Sequence, residues 1–295
     1  MSKRHANISH SVRSRLLNVA KRDGLFFQTI LTRYFHERLL YRMAHSQYAC
    51  NFYLKGGSLI YALSGVVARP TLDIDFLGVN ISNSQQIIQD VFKAICSVDC
   101  CDDGVSFNSS EIKSTTITEF KDYKGVRLFI PVQMDSIKQI LTIDIGFGDV
   151  VTPGPIQLSY PLVLDTLPNI SVLAYSIETL IAEKLHSVIE LGDRNSRMKD
   201  YYDLFTILNI FDLNVSVLQE AINNTFKSRH LTFNESTPFY QAGFANNPRL
   251  IALWNVFVRK MVIKDVPLFN EVVEYIQKRT ENLWKEYGLC TKLLQ

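Results

Sequence analysis

Leu54-Lys55-Gly56-Gly57-Ser58, followed a short helix later by Thr71-Leu72-Asp73-Ile74-Asp75-Phe76, is the stretch on which the reading of this chain turns. Phe52-Tyr53-Leu54 is short, aromatic and bounded by two glycines, the pattern of a buried strand entering a turn. Ser58 to Leu63 resumes helical character, and Leu72 to Leu77 reads as a second strand. Glycine lets a backbone approach a ligand closely, and the first amides of the helix behind it have no internal partner. Those amides and the helix dipole favour a bound phosphate. On a strand, residues i and i+2 share a face with Cα atoms roughly 6.6 Å apart. Asp73 and Asp75 can therefore converge on a hard cation while Leu72, Ile74 and Phe76 go to the core. Phosphate and metal together imply chemistry on a nucleoside triphosphate.

Each of these residues also has a plainer reading. Asp-x-Asp can be the wet face of a strand, Ser58 can cap its helix, and Lys55 on the rim can be solvated. A third carboxylate adds weight. Leu141-Thr142-Ile143-Asp144-Ile145 is a strand with one acid among apolar residues, and an ionised carboxylate there needs a partner or a cation. If that strand neighbours Leu72–Leu77, Asp144 completes a three-carboxylate site able to hold two metals across an in-line displacement; otherwise it is a strand-end acid facing water. Asp149, after two glycines, reads as a turn residue.

Further along, Lys184 lies in a helix rich in Leu180, Ile181, Leu185, Val188 and Ile189, where it can offer a point charge to a triphosphate or pair with Glu183 at a solvent edge. Asp200 and Asp203, three apart, share a helix face. Asp200 can orient Lys184 or activate an attacking hydroxyl, or both acids can pair with Arg194 or Arg197. His186 reads as a partly buried helical histidine, and Tyr201 and Tyr202 as packing residues that could also stack on a base.

The rest of the chain bounds these ideas. At 295 residues, 47% hydrophobic and 20% charged, it is an ordinary soluble composition long enough for one large domain or two modest ones. Five cysteines in no zinc-ligand spacing read as reduced thiols, and Asp99 to Gly104 as a solvated turn. No apolar run approaches the ~20 residues of a membrane helix, and Met1-Ser2-Lys3-Arg4-His5 lacks a leader's apolar core, so the expected location is cytoplasmic. Net charge is only +2, but residues 1–45 carry Lys3, Arg4, Arg13, Arg15, Lys21, Arg22, Arg33, Arg38 and Arg42 against Asp23 and Glu37. Such a segment either tracks a nucleic-acid backbone or is a solvated helical face.

Helical spacing predicts a first helix capped by Ser9 and ended by Gly24, a second from Leu25 to about His45, and an amphipathic one over Ser84–Ile95. Strand-like runs follow at Val105–Phe107, Ser114–Glu119, Val126–Pro131 and Ile137–Ile145, which makes the first part a mixed α/β domain. Val151 to Asn169, with four prolines, reads as a connection between lobes. Beyond Ser171 the pattern is helical: Ser176 to Leu191, Met198 to Phe211, Val217–Phe226, Leu250–Val262 and Leu268–Tyr287.

Taken in order, Lys-Gly-Gly-Ser, Thr-x-Asp-x-Asp-Phe, an Ile-Asp-Ile strand, Ala-Glu-Lys and Arg-x-Lys-Asp-x-x-Asp-Leu resemble the AbiEii-type nucleotidyltransferase family over roughly Leu54 to Leu204. That family includes type IV toxins of phage-defence and toxin–antitoxin systems and the mycobacterial MenT toxins. The resemblance implies an α+β architecture: a polymerase-β-like nucleotidyltransferase lobe with a mixed sheet over residues 1–170, basic helices at 1–48 included, and a helical C-terminal lobe over 171–295, with NTP bound between them. It assigns triphosphate to Gly57 and Ser58, beside Lys55 and Gly56, and Mg2+ (or Mn2+) to Asp73 and Asp75, with Asp144 as third acid. It gives Lys184 the phosphates, makes Asp200 the acid of the second lobe, and matches Thr71 to a hydroxyl that can receive a phosphoryl group in some relatives. Some members add nucleotides to the 3′ end of tRNA, which fits the basic N-terminal helices and makes RNA the expected acceptor; others bind GTP. A cognate antitoxin is the implied protein partner. Between Ser58 and Thr71 the chain departs from the family pattern at Tyr61, Ser64, Gly65 and Val66, which bears on substrate choice and leaves Arg69 as a phosphate candidate. Competing readings are an Asp-x-Asp glycosyltransferase and a nucleotide-gated binding module without turnover.

Overall fold

Alternation along the strands separates a core face from a polar face. In β1 (Phe52–Lys55), Phe52 and Leu54 are buried while Tyr53 and Lys55 turn the other way. In β2 (Asp73–Gly78), Ile74 and Phe76 are buried while Asp73 and Asp75 are half-buried. β6 (Ile137–Phe147) repeats the pattern, with Leu141, Ile143 and Ile145 inward and Thr142 and Asp144 on the opposite face. The computed structural model describes residues 3–65, 69–100, 102–120, 123–261 and 265–292.

Before β1 come helices α1 (Lys3–Asp23) and α2 (Phe27–Ala44); α3 (Gly56–Ser64) joins β1 to β2, and α4 (Gln85–Cys96) follows β2. Then come β3 (Ser106–Phe107), β4 (Lys113–Phe120), β5 (Tyr123–Met134), β6, β7 (Ile156–Tyr160) and β8 (Ile170–Ala174). The remainder is helical: α5 (Ile177–Leu191), α6 (Met198–Ile210), α7 (Val215–Ser228), α8 (Pro248–Arg259) and α9 (Phe269–Lys292).

Two compact units divide the chain. The first comprises Met1–Ala62, Pro70–Gly148 and Ile156–Ala174. Its sheet runs β3-β5-β6-β2-β1-β8-β7, with β4 also pairing β5 beyond β3. β2 is parallel to β6 and β1 is parallel to β8, while the other pairs are antiparallel, so the sheet is mixed. α2 packs against α1, α4, β6 and β8 and is enclosed all round. The second unit comprises Leu63–Arg69, Asp149–Pro155 and Tyr175–Gln295, with α5 packed on α6 and α7, and α9 on α6, α7 and α8. Phe226, Phe233, Tyr240, Trp284 and Tyr287 form its aromatic cluster, largely edge-to-face or stacked.

Most of the elements read from periodicity are present within a few residues of their expected ends. Four expectations change. The first helix starts before Ser9, which is no cap: its buried hydroxyl donates to the Gly104 carbonyl at 2.9 Å. A Cβ at Gly104 (φ +69°) would lie 2.8 Å from Ser9 Cα, so two small residues permit this approach. Asp99 to Gly104 is not simply a solvated turn, since buried Asp103 pairs with Arg42 at 2.8 Å and accepts from the Val105 amide; Cys101 lies outside the described residues. The proline-rich stretch after Val151 contains β7, whose five residues fall between Pro155 and Pro161 and alternate Ile156, Leu158 and Tyr160 against β8. β8, read as part of the change to helices, is a sheet strand beside β1.

Candidate active site

Register assembles the three acids. Asp75 stands directly across from Asp144 on the parallel pair β2–β6, and Asp73 from Thr142. Asp73, Asp75 and Asp144 each offer a carboxylate oxygen, and these lie within 4.8 Å of one another; among the described residues this is the group able to hold a metal ion. An all-oxygen donor set fits a hard divalent cation. The residues present therefore fit the metal that the sequence pattern implies.

Neighbours orient each acid. Asp73 Oδ1 accepts from the Thr71 hydroxyl at 2.8 Å, which fixes that carboxylate from two residues upstream. Asp75 is backed by the glycine turn. Lys55 lies opposite Asp75 on the antiparallel β1–β2 pair, and Gly56 follows with φ +63°. A Cβ at Gly56 would fall 2.1 Å from Asp75 Oδ2, so this turn needs glycine for its backbone and for its closeness to the acid. Gly57 and Ser58 are buried in the first turn of α3, and the Ser58 hydroxyl donates to the Asp73 carbonyl at 3.2 Å. Ser58 thereby ties the helix start to the start of β2.

Asp144 has a partner that sequence reasoning missed. Arg127 on β5 is its cross-strand neighbour and donates from Nε to Oδ1 and from Nη2 to Oδ2, both at 2.6 Å. The two-residue alternation of Val126, Leu128 and Ile130 puts Arg127 on the polar face, a signal present in the sequence, but which acid it meets is set by register.

The second unit holds a separate chain of charges. Lys184 is buried rather than at a solvent edge, and its Nζ lies 3.0 Å from Asp200 Oδ1 and 2.7 Å from Asp203 Oδ2. Arg69 grips Asp203 through Nε at 3.0 Å and Nη2 at 3.2 Å, and Arg197 Nε lies 2.9 Å from Asp200. Burial pulls the Lys184 pKa down, yet Asp203 and Asp200 outweigh it and hold it above the ordinary lysine value. Burial likewise pushes Asp200 up, but Lys184 and Arg197 keep it below the usual carboxylate range. Glu183 turns to Arg229 (2.6 Å), which also binds Asp149 at 2.7 Å, so Asp149 is an ion-pair partner and not merely a turn residue. Tyr201 and Tyr202 are buried packing residues, Tyr201 edge-on to Phe269. His186 is buried against Phe226, where desolvation depresses its pKa to about 3.

The basic N-terminal segment is smaller on the surface than in the sequence. Arg33, Arg38 and Arg42 of α2 are buried, Arg38 against Glu37 and the rings of Tyr34 and Tyr41. On α1, Arg13 pairs with Asp135, Arg15 donates to Thr166 and Arg22 pairs with Asp23. The side chains of Lys3 and Arg4, and Val66 in the stretch that departs from the family pattern, lie outside the described residues.

The family model for the nucleotidyl transferase AbiEii toxin of type IV toxin–antitoxin systems matches residues 38–277. Among solved structures, JHP933 from Helicobacter pylori superposes with a TM-score of 0.53 at 14% identity, covering 90% of this chain and 96% of that one. A candidate nucleotidyltransferase from H. pylori gives 0.51 at 15% identity, covering 92% and 99%. At such identities these likenesses speak for the fold alone. No curated protein matches the sequence as a relative. The chain belongs to the AbiEii nucleotidyl transferase toxin family, and it is a nucleotidyltransferase with an NTP as substrate. Among the described residues, no helix is long and apolar enough to cross a membrane.

Proposed function

We propose that this protein transfers a nucleoside monophosphate from an NTP to an RNA acceptor, the 3′ end of tRNA in particular, with Mg2+ or Mn2+, as a toxin-like effector of phage defence held in check by a cognate antitoxin. The observation that carries the reading is the convergence of Asp73, Asp75 and Asp144 on adjacent strands, with a glycine turn pressed against Asp75. A divalent cation bound there would offset charge on the phosphates and the leaving pyrophosphate. Asp73 and Asp75 hold it, with Thr71 keeping the Asp73 carboxylate turned to the site. The amides of Gly56 and Gly57 at the start of α3 receive phosphate oxygens, and Ser58 fixes that helix start against β2. Lys55, across from Asp75, supplies positive charge at the rim.

In the second unit, Lys184 and Arg69 are the phosphate-binding cations and Asp200 the acid. Arg69, Lys184 and Arg197 gather around Asp200 and Asp203, which places three cationic side chains together in this unit. For the acceptor, support comes from the family and from α1, whose last turn carries Lys21 and Arg22. The location in this reading is the cytoplasm.

The test is label transfer from each of the four α-labelled NTPs to total cellular RNA with Mg2+, beside Asp73→Ala. Label on a discrete RNA band, lost in the variant while its melting curve is kept, is the expected result. Wild-type transfer by Asp73→Ala would overturn the metal assignment. NTP binding without RNA labelling would move the acceptor to protein, or the molecule to a binding module without turnover.

A further inference from the structure

Arg127 and a cation would want the same carboxylate. The guanidinium fork engages both oxygens of Asp144 at 2.6 Å, a bidentate charge-assisted pair of the stronger kind. Asp144 is well covered, with 15% of its side chain exposed, so the pair is only partly screened by water; Arg127, at 39%, sits at the open side. A carboxylate has about four lone-pair positions. With two taken by Arg127, a cation approaching Asp73 and Asp75 meets a third acid already neutralised, and a fixed positive charge behind it. Cation contact through all three acids and the intact Arg127–Asp144 fork therefore oppose each other.

We propose that Arg127 sets the cation affinity of the carboxylate cluster by competing with the divalent ion for Asp144, so that the intact Arg127–Asp144 fork weakens cation binding by the three acids. This rests on the reading that Asp73 and Asp75 hold a cation. The competition makes free cation a poor ligand. A cation accompanied by a triphosphate brings phosphate oxygens that replace what Asp144 withholds, so loading follows the nucleotide. A freed Arg127 fork remains a planar donor suited to phosphate oxygens.

The experiment is titration of the purified full chain with Mn2+ alone, reading free Mn2+ by electron paramagnetic resonance, for wild type, Arg127→Gln, Asp144→Asn, Asp73→Ala and the double variant Arg127→Gln with Asp144→Asn. Arg127→Gln is expected to bind Mn2+ about tenfold more tightly than wild type, because it removes a fixed positive charge and a competing donor from beside the cation. The gain should vanish when Asp144→Asn is also present. If Arg127→Gln melts with a loss of folded protein, Arg127→Lys keeps the charge without the fork and should still bind more tightly than wild type. Unchanged or weaker affinity in the folded Arg127 variant, with binding lost in Asp73→Ala, overturns the role of Arg127 and leaves the cation site standing. No Mn2+ binding by any of the proteins overturns both.

Discussion

Gly56→Ala tests the closeness of turn and acid most directly. The new Cβ would lie 2.1 Å from Asp75 Oδ2, 2.7 Å from its Cγ and 2.9 Å from its Cβ. Rotating the carboxylate removes the first two contacts but not the third, so the backbone of β1 or β2 must shift as well. Left-handed φ at a non-glycine residue costs about 1–2 kcal/mol, and forcing Asp75 off its rotamer adds roughly 1 kcal/mol. The sum is about 2–3 kcal/mol before any backbone movement, which in a chain of this size corresponds to a fall of roughly 3–5 °C in Tm. A built-in control exists at Gly24, where φ is +66° and an added Cβ meets nothing within 4 Å. Gly24→Ala should carry the φ cost alone. Melting both variants by differential scanning calorimetry, and titrating both with Mn2+, separates the contributions: only Gly56→Ala should lose cation affinity, because only it displaces Asp75. Equal Tm values and equal Mn2+ binding in the two variants would refute the claim that glycine is needed there to make room for the acid.

Three further outcomes are expected. Lys184→Met leaves Asp200 and Asp203 buried beside each other, with Arg197 and Arg69 still paired to them, and should cost about 3 kcal/mol in urea unfolding, at the low end for a broken buried pair because those two partners stay; adding Asp200→Asn should recover part of the loss. Thr71→Val removes the hydroxyl that fixes Asp73 and should weaken Mn2+ binding about tenfold, with Thr71→Ser close to wild type. Burial pushes the His36 pKa down to about 4, opposed by Asp73 and a backbone bond at Leu72; the folded imidazole stays neutral where the unfolded one, near 6.5, takes a proton, so stability falls as pH drops from about 6.5 toward 4. His36→Phe should lose about 2 kcal/mol less than wild type between pH 7.5 and pH 5 in chemical denaturation. Burial also raises Glu37 to about 7, which acts with the opposite sign over this window but is common to both proteins and cancels in the difference. Parallel pH profiles for the two would remove His36 as the source.

What the sequence disclosed and what it withheld follow one division. Asp75 and Asp144 were legible because each stands between inward-facing apolar residues at strand spacing, a local pattern, and Asp73 by its i, i+2 spacing from Asp75, although Leu72, expected in the core, is 73% exposed. Arg127 has the same local pattern, yet its pairing with Asp144 depends on how β5 and β6 align, which no window of residues contains. The polar residues of α2 mislead for a related reason. Arg33, Glu37, Arg38 and Arg42 read as part of a basic segment that either tracks nucleic acid or is a solvated face, but α1, α4, β6 and β8 pack on the helix, and the charges find partners within the unit at Glu37–Arg38 and Arg42–Asp103. β7 was hidden by flanking prolines and by its length of five residues, too short for alternation to stand out. The Lys184 helix was legible as a helix, whereas the burial of Lys184 between two acids appears only once α6 is packed on α5.

The pairing of Asp75 with Asp144 also has a consequence for synthesis. Asp73 and Asp75 emerge from the ribosome long before β6, and between them lie α4 and the whole of β3, β4 and β5. β6 enters the sheet antiparallel to β5 and parallel to β2, so the third acid arrives only when that intervening segment is laid down. A nascent or truncated chain ending before β6 carries the two-aspartate strand without its completing carboxylate. In the reading in which Asp73, Asp75 and Asp144 together hold a cation, that site is complete only once β6 has joined the sheet, so it forms late in the synthesis of the first unit.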